Sequence, residues 1–90
     1  MATDDSLMPL YGFIEGDTLG VVVLVRPDDS VRTLAERLLE AAALRVAPTQ
    51  EGRVMAQGLL LDPRSTLRRE GITPLDRVDL VWPREGAGWA

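Results

Sequence analysis

The sequence contains no histidine and no cysteine, and all ten of its basic residues are arginine. Without imidazole and thiolate, the chain lacks the commonest general base and the commonest ligands of zinc and iron. A serine or threonine nucleophile would have no imidazole to activate it, and the absence of lysine excludes Schiff-base chemistry. We therefore expect no catalytic residue, no bound cofactor and no metal site in this chain.

The sequence also lacks a long apolar run and an excess of positive charge. Its longest apolar stretch, Val21 to Val25, is far shorter than the about 20 residues of a membrane-spanning helix. The net charge of −4 argues against nucleic-acid binding, which relies on basic surfaces. No secretion signal is visible, and a small secreted domain would usually contain disulfide bonds. These features predict a cytoplasmic protein that binds neither nucleic acid nor membrane.

The length of 90 residues is sufficient for one small domain, which we assign to residues 8–83. A flexible arm is expected at 1–7 and a flexible tail, which contains Trp89, at 84–90. The first half of the domain predicts a β-hairpin, because two apolar runs flank the turn pair Gly16-Asp17. Side chains two residues apart in a strand share a face, so we expect one such set to point into the core. This set consists of Tyr11, Phe13, Leu19, Val21, Val23 and Val25.

The next segment predicts a helix. Ser30 is a favourable N-cap residue, because its hydroxyl can accept a hydrogen bond from a free backbone N–H of the first turn. Asp28 and Asp29 precede it. Their negative charges are favourable near the positive end of the helix dipole, and this explains their position better than a metal site does. The apolar residues that follow at steps of three and four form a single stripe. They are Val31, Leu34, Ala35, Leu38 and Ala42.

The second half predicts three further strands, at residues 53–56, 59–61 and 77–82, with a helical turn that ends at Gly71 before the last strand. A single amphipathic helix can bury its stripe against one face of a sheet, so the order β-β-α-β-β-β predicts an α+β protein of the β-grasp type. We expect a mixed sheet of four to five strands packed on one helix. The remaining core positions are Val31, Leu34, Leu38, Val54, Leu61, Leu67, Ile72, Val78 and Leu80.

A partner-binding surface is predicted from apolar side chains that point away from this core. Met55 alternates with the inward Val54, and Leu59 and Leu60 follow across the next turn. Trp82 is one of only two tryptophans, and tryptophan is a favoured interface anchor. An exposed apolar patch on a small domain often marks a contact with a partner, although partly covered side chains would give the same pattern. Met55, Leu59, Leu60 and Trp82 are therefore the candidates for partner binding.

Two segments carry a first resemblance to a known family. Arg-Val-Met-Ala-Gln-Gly-Leu-Leu-Leu-Asp at 53–62 is similar to the third and fourth strands of ubiquitin, and Val-Asp-Leu-Val at 78–81 is similar to its last strand. The resemblance implies the ubiquitin-like fold. It does not imply conjugation, because ubiquitin ends in an exposed Gly-Gly, whereas this chain has Gly86-Ala87 at the corresponding place.

Several short segments, in matching order and at nearly matching spacing, carry a closer resemblance. They are Pro9 with Glu15-Gly16-Asp17, Arg45-Val46-Ala47-Pro48, Gly52-Arg53-Val54, Pro63-Arg64-Ser65-Thr66, Gly71-Ile72-Thr73-Pro74 and Val78-Asp79-Leu80-Val81. They are similar to the small ubiquitin-like (gamma, or B) subunit of the bacterial soluble diiron toluene, alkene and isoprene monooxygenases. This resemblance implies a hydroxylase of large, medium and small subunits, with the diiron centre in the large one. The chain would then be a non-catalytic subunit that docks on the large subunit and stabilises the complex.

A free-standing ubiquitin-like adaptor or carrier protein is the alternative function. A carrier would have to be trimmed after Pro83 to a terminal glycine, so intact-mass measurement of the native protein separates the two functions. We expect a mass that includes Ala90, whereas a terminus at Gly86 or Gly88 would favour the carrier.

Overall fold

The structure is a computed structural model that describes residues 6–42 and 52–82. Within these ranges, five strands and one helix follow in the predicted order β-β-α-β-β-β. The predicted tail at 84–90, most of the predicted arm at 1–7 and the segment 45–48 lie outside the described residues. The elements are β1 (Met8–Ile14), β2 (Val21–Val25), α1 (Val31–Ala41), β3 (Arg53–Ala56), β4 (Leu59–Leu60) and β5 (Arg77–Val81).

The strands form one mixed sheet in the order β2-β1-β5-β3-β4. Strands β1 and β5 are parallel, and every other neighbouring pair is antiparallel. Helix α1 lies on one face of this sheet and contacts β1, β2 and β3. The predicted α+β arrangement, a mixed sheet packed on one helix, is therefore confirmed, and β2 and β4 are its edge strands.

Helix α1 begins as predicted. The Ser30 hydroxyl accepts a hydrogen bond from the Thr33 N–H at 3.0 Å, which satisfies one of the free donors of the first turn. Asp29 accepts a hydrogen bond from the Arg26 N–H at 2.8 Å, and Asp28 forms an ion pair with Arg68 at 2.9 Å. Both carboxylates thus stabilise the chain just before the helix. The whole predicted apolar stripe of the helix is buried.

The predicted orientation of β1 is wrong. Tyr11 and Phe13 are 48% and 36% exposed, whereas Leu10 and Ile14 are buried. Both alternating sets of this strand contain large apolar residues, so alternation alone does not identify the inner one. Packing against α1 identifies the inner set. Gly12 is buried, and a Cβ at this position would collide with Leu38 Cδ2, so the helix lies close to this side of β1.

The second strand follows the predicted register except at its beginning. Val23 and Val25 are buried, and Val21 packs against the edge of the core. Leu19, predicted to point inward, is 55% exposed. It lies before β2 in the turn, where its N–H donates to an Asp17 carboxylate oxygen at 3.3 Å. The turn geometry therefore removes Leu19 from the strand alternation.

The rest of the predicted core is confirmed. All of the predicted positions in the helix, in β3, in β5 and in the loops that follow β4 are buried. Four buried side chains were not predicted. Three of them lie on the inner side of β1, and the fourth lies in the short strand β3. They are Met8, Leu10, Ile14 and Ala56.

Shortening a central side chain of the helix stripe should destabilise the protein. Leu34 is fully buried, so Leu34→Ala should lower the free energy of unfolding by about 2 to 5 kcal/mol through lost contacts and the cavity left behind. Urea titration measures this loss. The control Arg37→Ala, exposed on the same helix, should change stability by less than about 0.5 kcal/mol. An equally small loss for Leu34→Ala would show that the helix packs through another face.

A side chain at Gly12 should push α1 away from the sheet. Gly12→Ala places a methyl group against Leu38 Cδ2, and such overpacking should cost about 1 to 3 kcal/mol of unfolding free energy. In the double variant with Leu38→Ala, the obstacle is gone, so the combined loss should be smaller than the sum of the two single losses. Strictly additive losses would contradict a direct contact between these residues.

Candidate functional site

Cross-strand pairing determines which side chains share the face of the sheet opposite α1. Tyr11 of β1 is paired with Val22 of β2 on one side and with Arg77 of β5 on the other. Met55 of β3 is paired in the same way with Leu60 of β4. Directly paired residues, and alternate residues along each strand, project from the same face. We call this surface the outer face, and its residues are Pro9, Tyr11, Phe13, Val22, Leu24, Arg53, Met55, Leu60, Arg77, Asp79 and Val81.

The outer face is most apolar and most exposed over β1 and β2. Tyr11, Val22 and Leu24 are 48%, 59% and 53% exposed. Strand β2 consists of five consecutive apolar residues at the edge of the sheet, so the residues that alternate with its core positions have to face away from the helix. A group of uncovered apolar side chains on adjacent strands of a small domain is typical of a protein-binding surface.

A cation–π contact lies at the centre of the outer face. The guanidinium carbon of Arg77 is 4.2 Å from the centroid of the Phe13 ring. Arg77 Nε also donates a hydrogen bond to Asp79 Oδ1 at 3.2 Å. The Phe13 ring also lies close to Gly20, where an added Cβ would be 2.8 Å from ring atom Cε1. These contacts hold the ring and the guanidinium in place on an otherwise open surface.

The structure does not bring the four predicted partner-binding residues into one patch. Met55 and Leu60 lie together on the outer face, and both are half-buried. Leu59 is 67% exposed, but it is paired with the buried Ala56 and therefore projects from the opposite side of the hairpin. Only Met55 and Leu60 share the outer face with the exposed residues of β1 and β2.

Trp82 is anchored within the domain. Its indole Nε1–H donates to the Glu15 carbonyl oxygen at 3.0 Å, and its backbone N–H donates to Glu15 Oε1 at 2.9 Å. The side chain is partly buried and packs against the core. These contacts join the end of β5 to the turn between β1 and β2. A partner would reach only the remaining exposed part of the ring.

Sequence reasoning missed the most exposed part of the outer face, namely Tyr11, Phe13, Val22 and Leu24. For Val22 and Leu24 a signal was present, because a strand with Val21, Val23 and Val25 inward necessarily turns its alternate residues outward. For the two aromatic residues of β1 no such signal exists, since both alternating sets of that strand are apolar.

The geometry of the site favours binding over catalysis. Among residues 6–42 and 52–82, no cluster of three or more carboxylates is placed to hold a metal ion. Within the same ranges, α1 is too short and too polar to cross a membrane. The outer face offers apolar area, the guanidinium groups of Arg53 and Arg77 and the carboxylate of Asp79, and these groups suit contact with another protein.

Comparison with solved structures confirms the ubiquitin-like fold. A de novo protein designed on ubiquitin is 30% identical, with a TM-score of 0.73 over 92% of this chain and 96% of that chain. The ubiquitin of Caldiarchaeum subterraneum is 19% identical, with a TM-score of 0.69 over 91% of this chain and all of that chain, and it supports the fold alone.

Two further comparisons concern the monooxygenases. A chain of the toluene 4-monooxygenase HD complex with the inhibitor 4-bromobenzoate is 28% identical, with a TM-score of 0.79 over 87% of this chain and 100% of that chain. None of the curated proteins matches this chain. The family model for toluene-4-monooxygenase system protein B (TmoB) matches residues 7–82. These findings confirm the predicted function of a non-catalytic small subunit of a monooxygenase complex. The chain belongs to the TmoB family, whose model spans nearly all of its described residues.

Proposed function

We propose that this chain docks on the large subunit of a monooxygenase hydroxylase and stabilises the assembly of large, medium and small subunits. Membership of the TmoB family and the likeness to a chain of the toluene 4-monooxygenase complex support a hydroxylase as the partner. A cytoplasmic location, predicted from the sequence, belongs to the same proposal.

The diiron centre of such an enzyme belongs, in this proposal, to the large subunit. Diiron carboxylate sites combine glutamates with Glu-x-x-His pairs on facing helices. This chain has no histidine, and its described residues contain a single helix. Its residues therefore do not fit a diiron site, and no step of the oxidation chemistry is assigned to them.

The exposed outer face is the observation that carries the docking proposal. The helix already covers the other face of the sheet, so a partner that contacts the outer face would bury the second side of the same strands. Met55 and Leu60 from the predicted set contribute to this surface, together with Tyr11 and Val22. Leu59 and Trp82, which the outer face does not include, remain predicted contacts.

Omission of this chain should weaken the hydroxylase. When the large and medium subunits encoded alongside it are co-expressed with and without this chain, we expect it to co-purify with them. We also expect the complex that lacks it to unfold at a lower temperature and to lose activity faster. Equal activity and equal thermal stability without the chain would contradict the proposal.

A charge on the outer face that the partner would have to bury should prevent docking. Val22→Glu places a carboxylate in the apolar part of the surface, so we expect it to abolish co-purification with the large subunit. Leu75→Glu is the matched control, because Leu75 and Val22 are both 59% exposed and Leu75 lies in the loop before β5. Urea unfolding of both variants checks that the domain is intact. Retained binding of Val22→Glu would exclude this part of the outer face as the interface.

A further inference from the structure

We infer that Arg77 is the specificity-determining contact of the outer face and binds a carboxylate group on the large hydroxylase subunit. The inference rests on the proposed function and adds to it the chemistry of the partner surface, which would be an acidic side chain within an apolar patch. Three features of the described residues carry it: the preorganisation of Arg77, its unused donors and the distribution of charge.

Arg77 is held in position before any partner binds. Its guanidinium lies 4.2 Å from the centroid of the Phe13 ring, and Asp79 holds Nε from the side at 3.2 Å. The ring occupies space next to Gly20 that a Cβ at this position would contest, so the absence of a side chain there leaves room for it. A free surface arginine loses side-chain entropy when it is bound by a partner, and an arginine that is already held loses less.

The remaining donors of Arg77 are available to a partner. A guanidinium has five N–H donors, and the contact with Asp79 uses the one on Nε. Within residues 6–42 and 52–82, neither terminal nitrogen of Arg77 has a hydrogen-bond partner. The side chain is 66% exposed. A carboxylate can therefore pair with both terminal nitrogens while the bond to Asp79 stays intact, which is the bidentate geometry that arginine favours.

Charge complementarity indicates an acidic partner group. The chain as a whole carries a net charge of −4. The outer face has the opposite sign, because it bears Arg53 and Arg77 against the single carboxylate of Asp79. Arg53 is half-buried and donates a hydrogen bond to the Leu61 carbonyl oxygen at 3.2 Å, so Arg77 is the more accessible cation.

The apolar surroundings should strengthen this contact. Tyr11 is paired directly with Arg77, and Val22 lies on the far side of Tyr11. A partner that covers these side chains would exclude water from the guanidinium and strengthen its interaction with a carboxylate. Tyrosine and arginine are enriched among the interface residues that contribute most to affinity, and such residues cluster where water is excluded.

Substitution of Arg77 tests the inference. Binding of the isolated chain to the purified complex of the large and medium subunits is measured by biolayer interferometry at several salt concentrations. We expect Arg77→Gln to weaken binding on the order of tenfold or more. Arg77→Lys should restore only part of the affinity, because lysine keeps the charge and loses the planar donor fork. Arg64→Gln, which removes the same charge from an 87% exposed side chain in a loop, should bind like the wild type.

Two further readouts separate a direct ionic contact from a structural effect. The affinity of the wild type should fall more steeply with salt than that of Arg77→Gln, because only the wild type forms the ion pair. Phe13→Leu keeps an apolar side chain but removes the ring beneath the guanidinium, and it should weaken binding several-fold, less than Arg77→Gln does. The urea midpoints of these variants should stay close to that of the wild type.

The two proposals fail in different ways. If the wild type binds but Arg77→Gln binds equally well with the same salt dependence, the inference about Arg77 is wrong and docking still stands. If Arg77→Lys binds as tightly as the wild type, the bidentate carboxylate contact is excluded. If the wild type itself does not bind the subunits, the proposed function fails and the inference fails with it.

Discussion

Helix α1 has one apolar stripe and covers only one face of the five-stranded sheet. The position of the core and the exposure of the outer face both follow from this constraint. The inner face of the sheet packs against the helix and forms the core. The close approach of Gly12 to Leu38 determines which side of β1 belongs to this inner face. The outer face is left with Tyr11, Val22 and Leu24 exposed, so the domain presents an apolar surface. A non-catalytic subunit needs just such a surface.

The same constraint explains how the chain could carry a function without reactive side chains. A sequence that lacks histidine, cysteine and lysine acts through shape, apolar contact and the hydrogen bonds of arginine. The ubiquitin-like fold is suited to this role, since its core lies between the helix and one face of the sheet and leaves the other face open to partners. In this chain the contact between Arg77 and Phe13 adds a fixed charge to that surface.

The sequence predicted the fold correctly where its pattern of apolar and polar residues was compatible with only one buried face. The stripe from Val31 to Ala42 has polar residues on its other side, and Ser30 is an unambiguous cap, so the helix and its buried face followed directly. Strand β1 is apolar in both alternating sets. Which set faces inward depends on the packing of Leu38 over Gly12, and the alternation pattern of one strand carries no information about that contact. The contact between Phe13 and Arg77 required the parallel pairing of β1 with β5, which no local pattern encodes. Of the four predicted partner-binding residues, Met55 and Leu60 lie on the outer face, and their role in binding stays a prediction.

In the proposed assembly, the outer face is covered by the hydroxylase. Tyr11 is the only tyrosine of the chain, is 48% exposed and lies on that face, so it is a single-site reporter. Hydroxyl-radical footprinting with mass spectrometry measures its accessibility in the free chain and in the complex with the large and medium subunits. We predict that Tyr11 is modified in the free chain and strongly protected in the complex. Unchanged modification of Tyr11, with protection confined to the exposed side of α1, would contradict the account.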